Sequence, residues 1–186
     1  ESQRHGNNEW MTEQTLREVY LAPFEKAFTE GRALATMTSY NRLGTQWTGG
    51  CYALLTTVLR GEWGFQGHFV SDCWAVRDFH EGHKVTSCPA ESVTLALNSG
   101  CDLNCGCTYQ HIMDAYERGM ISKEVIERSA VRLFTTRYLL GILGDGSEYD
   151  SVPYTSIESP EHLALAHKAA LESCVLLKNN GILPLN

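Results

Sequence analysis

Gly67-His68-Phe69-Val70-Ser71-Asp72-Cys73-Trp74 is a short apolar run that ends in a carboxylate. It reads as a β-strand with Asp72 at its C-terminal lip. In parallel α/β architectures that lip is where ligands and catalytic groups collect. The indoles of Trp63 and Trp74 lie close by in sequence. Asp72 is therefore the strongest candidate for a reacting group in the chain.

Working outward, helical and strand patterns alternate. Thr12-Glu13-Gln14 is a capping hydroxyl followed by an acid in the first turn, and Leu16, Val19 and Tyr20 follow at helical spacing. Pro23 is expected to kink or restart this helix, which Gly31 ends. Residues 33–39 read as a strand buried on both faces, terminating in Tyr40-Asn41. A Gly-containing loop leads to a second helix at about residues 52–60, whose buried side is Leu54, Leu55, Val58 and Leu59. The Asp72 strand follows, and then a long loop over residues 74–87. Pro89 opens the next helix, and Cys101-Asp102-Leu103-Asn104 reads as a third strand. Two helices follow, at about residues 108–118 and 122–140; the second has Ser122 as N-cap, a stripe of Ile126, Ala130, Leu133 and Phe134, and Gly141 as its stop. No tight hairpin signal separates any two strands, so parallel strands with helical crossovers are expected. Three strands make a poor closed sheet, and a full (β/α)8 barrel takes about 250 residues. The expected fold is α/β: residues 1–143 as the C-terminal portion of a TIM-like barrel, 144–159 as a linker, and 160–186 as the first helix of a following domain. That last helix is expected over residues 160–178.

Composition narrows the function classes. Hydrophobic residues at 43% and charged residues at 20% are ordinary for a globular chain with a core. A net charge of −7, with scattered basic residues, argues against a nucleic-acid partner. No apolar run approaches the roughly 18 residues that span a bilayer, so no membrane partner is expected. The chain opens at Glu1 without Met, so an upstream segment is expected to be missing and a targeting signal is not observable. Seven cysteines leave at least one unpaired within the chain. Most, such as Cys51 and Cys174, sit beside apolar residues, which suits buried reduced thiols and favours a reducing, cytoplasmic compartment.

Several segments, in order, resemble family 3 glycoside hydrolases, the β-glucosidases, β-xylosidases and relatives. They are Leu16 to Phe24, Ser39-Tyr40-Asn41, and Leu59-Arg60-Gly61-Glu62-Trp63-Gly64-Phe65-Gln66-Gly67 leading into Val70-Ser71-Asp72. Ala96 to Asn104 resembles the last barrel strand, and Glu172 to Asn179 the opening of the family's second, α/β-sandwich domain, with Leu183-Pro184-Leu185 as its continuation. The resemblance implies retaining hydrolysis of a β-linked terminal sugar from an oligosaccharide or glycoside, with Asp72 as nucleophile and no organic cofactor. It implies sugar contacts from Arg4, in Glu1-Ser2-Gln3-Arg4, and places Tyr40 beside the nucleophile. Cys73, where many members have Trp, resembles the xylosidase-like branch, as does the Arg4-His5 pair; Thr12 to Phe24 is closer to β-glucosidases. The choice of sugar stays open, as does the role of Trp74 between sugar platform and packing. In most of the family the general acid comes from the second domain, so it is expected beyond residue 186, on another segment or chain. Glu62, Glu81 and Glu91 offer no context that promotes them.

Other readings stand beside this one. The chain could be a non-catalytic carbohydrate-binding or assembly fragment. Asp102 is expected to hold a loop by hydrogen bonds. Cys101, Cys105, Cys107 and His111 form an array that could surround zinc, but its spacing matches no common ligand module, and no metal is assigned. His80 and His83 are expected to face solvent or shape the pocket rim.

Overall fold

Proline shapes the first helix. The computed structural model describes residues 3–144 and 146–185; Glu1, Ser2, Asp145 and Asn186 lie outside the described residues. After a short strand, β1 (Asn8–Glu9), helix α1 covers residues 13–29 as Glu13–Thr15, a π-helical Leu16–Leu21, and Ala22–Thr29. Pro23 donates no N–H and its ring crowds the carbonyl four residues back, so the turns ahead of it widen to the i→i+5 pattern. Thr12 caps the start as expected, its hydroxyl accepting the Thr15 N–H at 3.1 Å.

The strands that carry the candidate site are parallel. β2 (Ala35–Thr38) pairs with β5 (His68–Ser71) in the register Ala35↔His68 to Thr38↔Ser71. Between them run β3 (Arg42–Leu43), β4 (Gln46–Trp47) and helix α2 (Ala53–Glu62), which is also π-helical. Gly67 is required by this layout: a Cβ there would collide with the Leu34 carbonyl, which accepts the His68 N–H at 3.1 Å. α3 (Ala75–Asp78), α4 (Pro89–Ser99), α5 (Ile112–Glu117) and α6 (Lys123–Leu139) follow, with Pro89 in the first turn of α4 and Gly100 left-handed at its end. Phe28, Leu55, Leu59, Phe65, Phe69 and Val76 pack into one core cluster, while Ala90, Val93 and Leu97 of α4 meet Ala115 and Ile121 in another.

Several expectations need correction. β2 is not buried on both faces: only Thr38 is buried and Met37 is 58% exposed, because no strand covers its far side among the described residues. The 101–104 strand reduces to one parallel bridge, Val70↔Leu103. Asp102 and Leu103 both donate to the Phe69 carbonyl while the Asp102 side chain takes the Phe69 N–H, so a carboxylate replaces the backbone acceptor a longer ladder would need. A hairpin does exist: β3 and β4 are antiparallel across Gly44-Thr45, with Gly44 at φ +62° supplying the left-handed turn residue. β1 joins β3 in parallel to complete this small sheet. The long loop contains α3. On α6, Phe134 of the expected stripe is exposed.

One compact unit ends at Gly144 and a second occupies the rest of the chain. In the second, two 3-10 turns, Glu148–Ser151 and Tyr154–Ser156, precede α7 (Pro160–Glu172), capped by the Ser159 hydroxyl. The helix stops short of residue 178. The Ser173 hydroxyl and the Cys174 thiol both turn back onto the Ala170 carbonyl, and side chains that compete for backbone acceptors in this way unwind a helix end.

The Asp102 carboxylate has no solvent exposure and joins three elements. Oδ2 accepts from Arg60 Nη2 of α2 at 2.6 Å and from the Phe69 N–H of β5 at 3.0 Å. Oδ1 accepts from Arg132 Nη1 of α6 at 3.1 Å. Burial pushes Arg60 down to about 10, the Asp102 charge opposing it, so the guanidinium stays charged at neutral pH. Removing one partner of a buried charged network strands the others. Asp102→Ala is expected to destabilise the chain by about 3–5 kcal/mol in urea denaturation. Arg132→Ala, on the more exposed arm, is expected to cost only about 1.5 kcal/mol.

Candidate active site

Three chain segments converge at the C-terminal ends of the parallel strands. The register carries the Asp72 N–H to the Thr38 carbonyl at 3.1 Å, so Asp72 leaves β5 level with the end of β2 and close to Tyr40. Asp72 is half-buried, and its Oδ1 accepts the Cys73 N–H at 2.7 Å. Tyr40 donates its hydroxyl to the Cys73 carbonyl at 2.5 Å. Burial raises the Tyr40 pKa, and the negative charge of Asp72, also within hydrogen-bonding reach of the phenol, raises it further. The phenol therefore stays protonated at neutral pH and serves as a donor beside the carboxylate.

The N-terminal segment covers Tyr40. The Arg4 guanidinium lies 4.4 Å from the centre of the tyrosine ring, and the His5 ring meets it edge-on at 5.7 Å. His5 Nδ1 is 2.5 Å from Oδ2 of Asp78, a carboxylate in α3 whose side chain is 7% exposed. Arg4, Tyr40 and Asp72 are thus brought together as expected. Asp78 was hidden from sequence reasoning because the region after Trp74 has no helical periodicity long enough to read.

Trp74 sits in a left-handed conformation at φ +68° and is 41% exposed. The Arg77 guanidinium lies 4.5 Å from its ring centre, and Gly106 packs so closely that a Cβ there would press on the indole at 3.3 Å. The indole is held in place while keeping an open edge.

The cysteines correct another expectation. Cys73 and Cys105 form a disulfide, with Cα atoms 4.4 Å apart. It is flanked by two hydrogen bonds, Trp74 N–H to the Cys105 carbonyl at 2.7 Å and the Tyr40 hydroxyl to Cys73. Residues adjacent to Asp72 and to the Leu103 bridge are therefore covalently joined, and the cysteine argument for a reducing compartment loses its basis. The Cys101–His111 array is likewise not a converging ligand set, since Cys105 is committed to the disulfide, Cys101 is fully buried and Cys107 is exposed. Burial pushes the Cys101 thiol up to about 12.

The histidines of the 74–87 region do not face solvent. The His80 side chain is 11% exposed and bonds the Ser92 hydroxyl at 2.9 Å. His83 packs against Trp47 in a tilted arrangement, with ring centres 4.5 Å apart. Burial lowers the pKa of both. The three glutamates left unpromoted have other partners: Glu62 pairs with Arg17 at 2.6 Å, Glu81 with Arg77 at 3.3 Å, and Glu91 accepts from Ser87 at 2.7 Å.

Comparison with known proteins places this constellation. Residues 1–136 match the glycosyl hydrolase family 3 N-terminal domain. The chain belongs to glycoside hydrolase family 3. Across 98% of its length it is 39% identical to the Aspergillus fumigatus protein named "Probable exo-1,4-beta-xylosidase bxlB", covering 24% of that protein. It is 37% identical over 89% of its length to "Probable beta-D-xylosidase 7" of Arabidopsis thaliana, covering 22% of it. Among solved structures, a family 3 exo-β-xylosidase in complex with a xylobiose aziridine activity-based probe superposes with a TM-score of 0.85 at 32% identity, over 98% of this chain and 24% of that one. A β-glucosidase from Listeria innocua gives 0.79 at 26% identity, over 96% of this chain and 25% of that one. The family 3 chain spans about a quarter of the length of the curated relatives it matches. Its parallel strands and crossover helices are part of a TIM-barrel-like α/β fold.

Thiol titration checks the cysteine assignment. Unfolded without reductant, the chain is expected to react at five of its seven cysteines, and at all seven after reduction. Seven reactive thiols before reduction would contradict the disulfide.

Proposed function

We propose that this chain is the nucleophile-bearing part of a retaining, exo-acting β-glycosidase, with a terminal β-xylosyl unit as the preferred substrate and β-glucosyl as the alternative. The observation that carries the reading is the half-buried Asp72 carboxylate at a strand end, with Tyr40 beside it and Arg4 over Tyr40. The xylose preference rests on the names of the relatives, on the TM-score of the xylosidase neighbour, and on Cys73 following the nucleophile.

Oδ1 of Asp72 is held by the backbone, so Oδ2 attacks the anomeric carbon. The glycosidic C–O bond breaks, and the departing oxygen takes a proton from a second carboxylic acid. Water, deprotonated by that same group, then displaces Asp72 and releases the sugar with its configuration retained. Tyr40 donates a hydrogen bond near the carboxylate and the developing charge, and Arg4 offers a cation for sugar hydroxyls. The acid partner lies in the part of the enzyme outside this chain. An apolar groove of about 410 Å³, lined by Leu16, Tyr20, Phe24, Met37, Leu54 and Phe69, is a surface of the kind that further barrel strands would cover.

A dinitrophenyl 2-deoxy-2-fluoro-β-xyloside tests the nucleophile without needing the acid, because dinitrophenolate leaves unprotonated. Peptide mapping is expected to find the fluoroxylosyl adduct on Asp72, and Asp72→Asn to form none. An adduct on another residue, or binding with no adduct, would favour the non-catalytic carbohydrate-binding reading. Tyr40→Phe is expected to slow adduct formation by up to about tenfold, because it removes the phenol's hydrogen bond to the Cys73 carbonyl next to Asp72, worth about 0.5–1.5 kcal/mol. The isolated chain is expected to show negligible turnover of alkyl xylosides, whose leaving oxygen must be protonated. Turnover near that of a full-length family member would contradict the assignment of the acid to another segment.

A further inference from the structure

Asp78 is one of the most confined carboxylates beside the candidate site. Its backbone N–H donates to the Trp74 carbonyl at 3.2 Å, and its own carbonyl accepts from Gly82 at 3.0 Å and His83 at 2.7 Å. The residue is therefore fixed on both sides, in the helical turn that follows the nucleophile. Its side chain points to His5, 73 residues earlier in the chain, and the two meet at 2.5 Å. A buried carboxylate without a partner is strongly unfavourable, so this contact has a physical reason to persist.

What the contact holds is the segment bearing Arg4. At one end that segment is tied down by the pairing of Asn8 with Arg42. Near Arg4 itself stand the Gly6 N–H to Gln3 carbonyl turn and the His5–Asp78 contact. His5 also packs edge-on against Tyr40, while Arg4 lies over the same ring. A shift of His5 would therefore move both groups that surround Asp72.

We propose that His5 and Asp78 are positioning residues that anchor the N-terminal segment to the turn after the nucleophile and keep Arg4 and Tyr40 aligned on it. The inference rests on the reading of Asp72 as nucleophile. Neither residue donates or accepts the proton in the reaction. Their effect passes through Arg4 and Tyr40.

The test uses the complete enzyme that carries this chain and the same dinitrophenyl fluoroxyloside, with saturation kinetics of adduct formation. His5→Gly is expected to label at least tenfold more slowly, and added imidazole to restore part of the rate by refilling the space against Asp78. Asp78→Asn, which keeps the shape and loses the charge, is expected to give a smaller loss in the same direction. Combining His5→Gly with Arg4→Met is expected to add little to the loss from Arg4→Met alone, because both remove the same alignment. A folded His5→Gly enzyme that labels at the normal rate would overturn the proposal. So would a loss that imidazole does not reverse, or losses that multiply fully in the double variant. If His5→Gly does not fold, His5→Gln decides: a normal labelling rate in a folded Gln variant overturns the proposal, and a loss shared with Arg4→Met supports it. A wild-type enzyme that forms no adduct at Asp72 would sink the nucleophile reading itself, and the positioning role with it. That result is distinct from a labelled wild type with indifferent variants.

Discussion

A single buried carboxylate organises the strand that presents the candidate nucleophile. Asp102 binds Arg60, Arg132 and the Phe69 N–H at once, and so connects the helix before β5, the first half of β5, and the long helix α6. Its negative charge is balanced by two guanidiniums, one of which also lies 4.9 Å from the Phe69 ring centre. The buried Phe69 and Ser71 already specify the register of β5 on β2, since a one-residue slip turns every side chain to the opposite face. The carboxylate adds to this by fixing a backbone N–H of β5 against α2 and α6. Register then determines what emerges at the strand end.

At that end the site is assembled from segments far apart in sequence. Asp72 leaves β5, Tyr40 follows β2, and Cys105 follows the Leu103 bridge and is covalently joined back to Cys73. The N-terminal segment with Arg4 and His5 lies over Tyr40, held by Asp78 from the turn just beyond Asp72. Apart from the disulfide, these contacts are individually modest. Their geometry is mutually determined, which is how a strand-end site built from several segments holds its side chains in place.

Much of this was legible in the sequence, for physical reasons. The apolar run ending in Ser71-Asp72 reads as a strand end, and the Leu55 and Leu59 face of α2 and the Pro89 start of α4 follow from periodicity and proline chemistry. Asp72 was singled out by its place at a strand end, and Arg4 and Tyr40 by the family resemblance; the geometry sets Tyr40 beside Asp72 and Arg4 over Tyr40. What failed to show was whatever depends on partners remote in sequence. The burial of β2 was overestimated, because Ala35 to Thr38 has the composition of a central strand but lacks a covering neighbour here. The strand at Cys101 to Asn104 shrank to a bridge because Asp102 uses its side chain in the ladder. Cys73 and Cys105 resemble buried thiols until the fold sets them 4.4 Å apart at Cα. Asp78 has no local signal, and His5 entered only through the family resemblance, since their pairing lies in a contact between residues 73 positions apart. The Gly44-Thr45 hairpin was missed, although a glycine opening a two-residue turn between short strands is a recognised signal.

The central claim is that the strand register delivers Asp72, Tyr40 and Arg4 to one sugar. The most direct measurement is a crystal structure of the complete enzyme trapped with a fluoroxylosyl adduct. The expected electron density shows the anomeric carbon bonded to an Asp72 carboxylate oxygen, the Tyr40 hydroxyl within hydrogen-bond distance of that carboxylate or the sugar, and Arg4 against a sugar hydroxyl. A sugar bonded to another side chain, or seated with Tyr40 and Arg4 turned away from it, would contradict the claim.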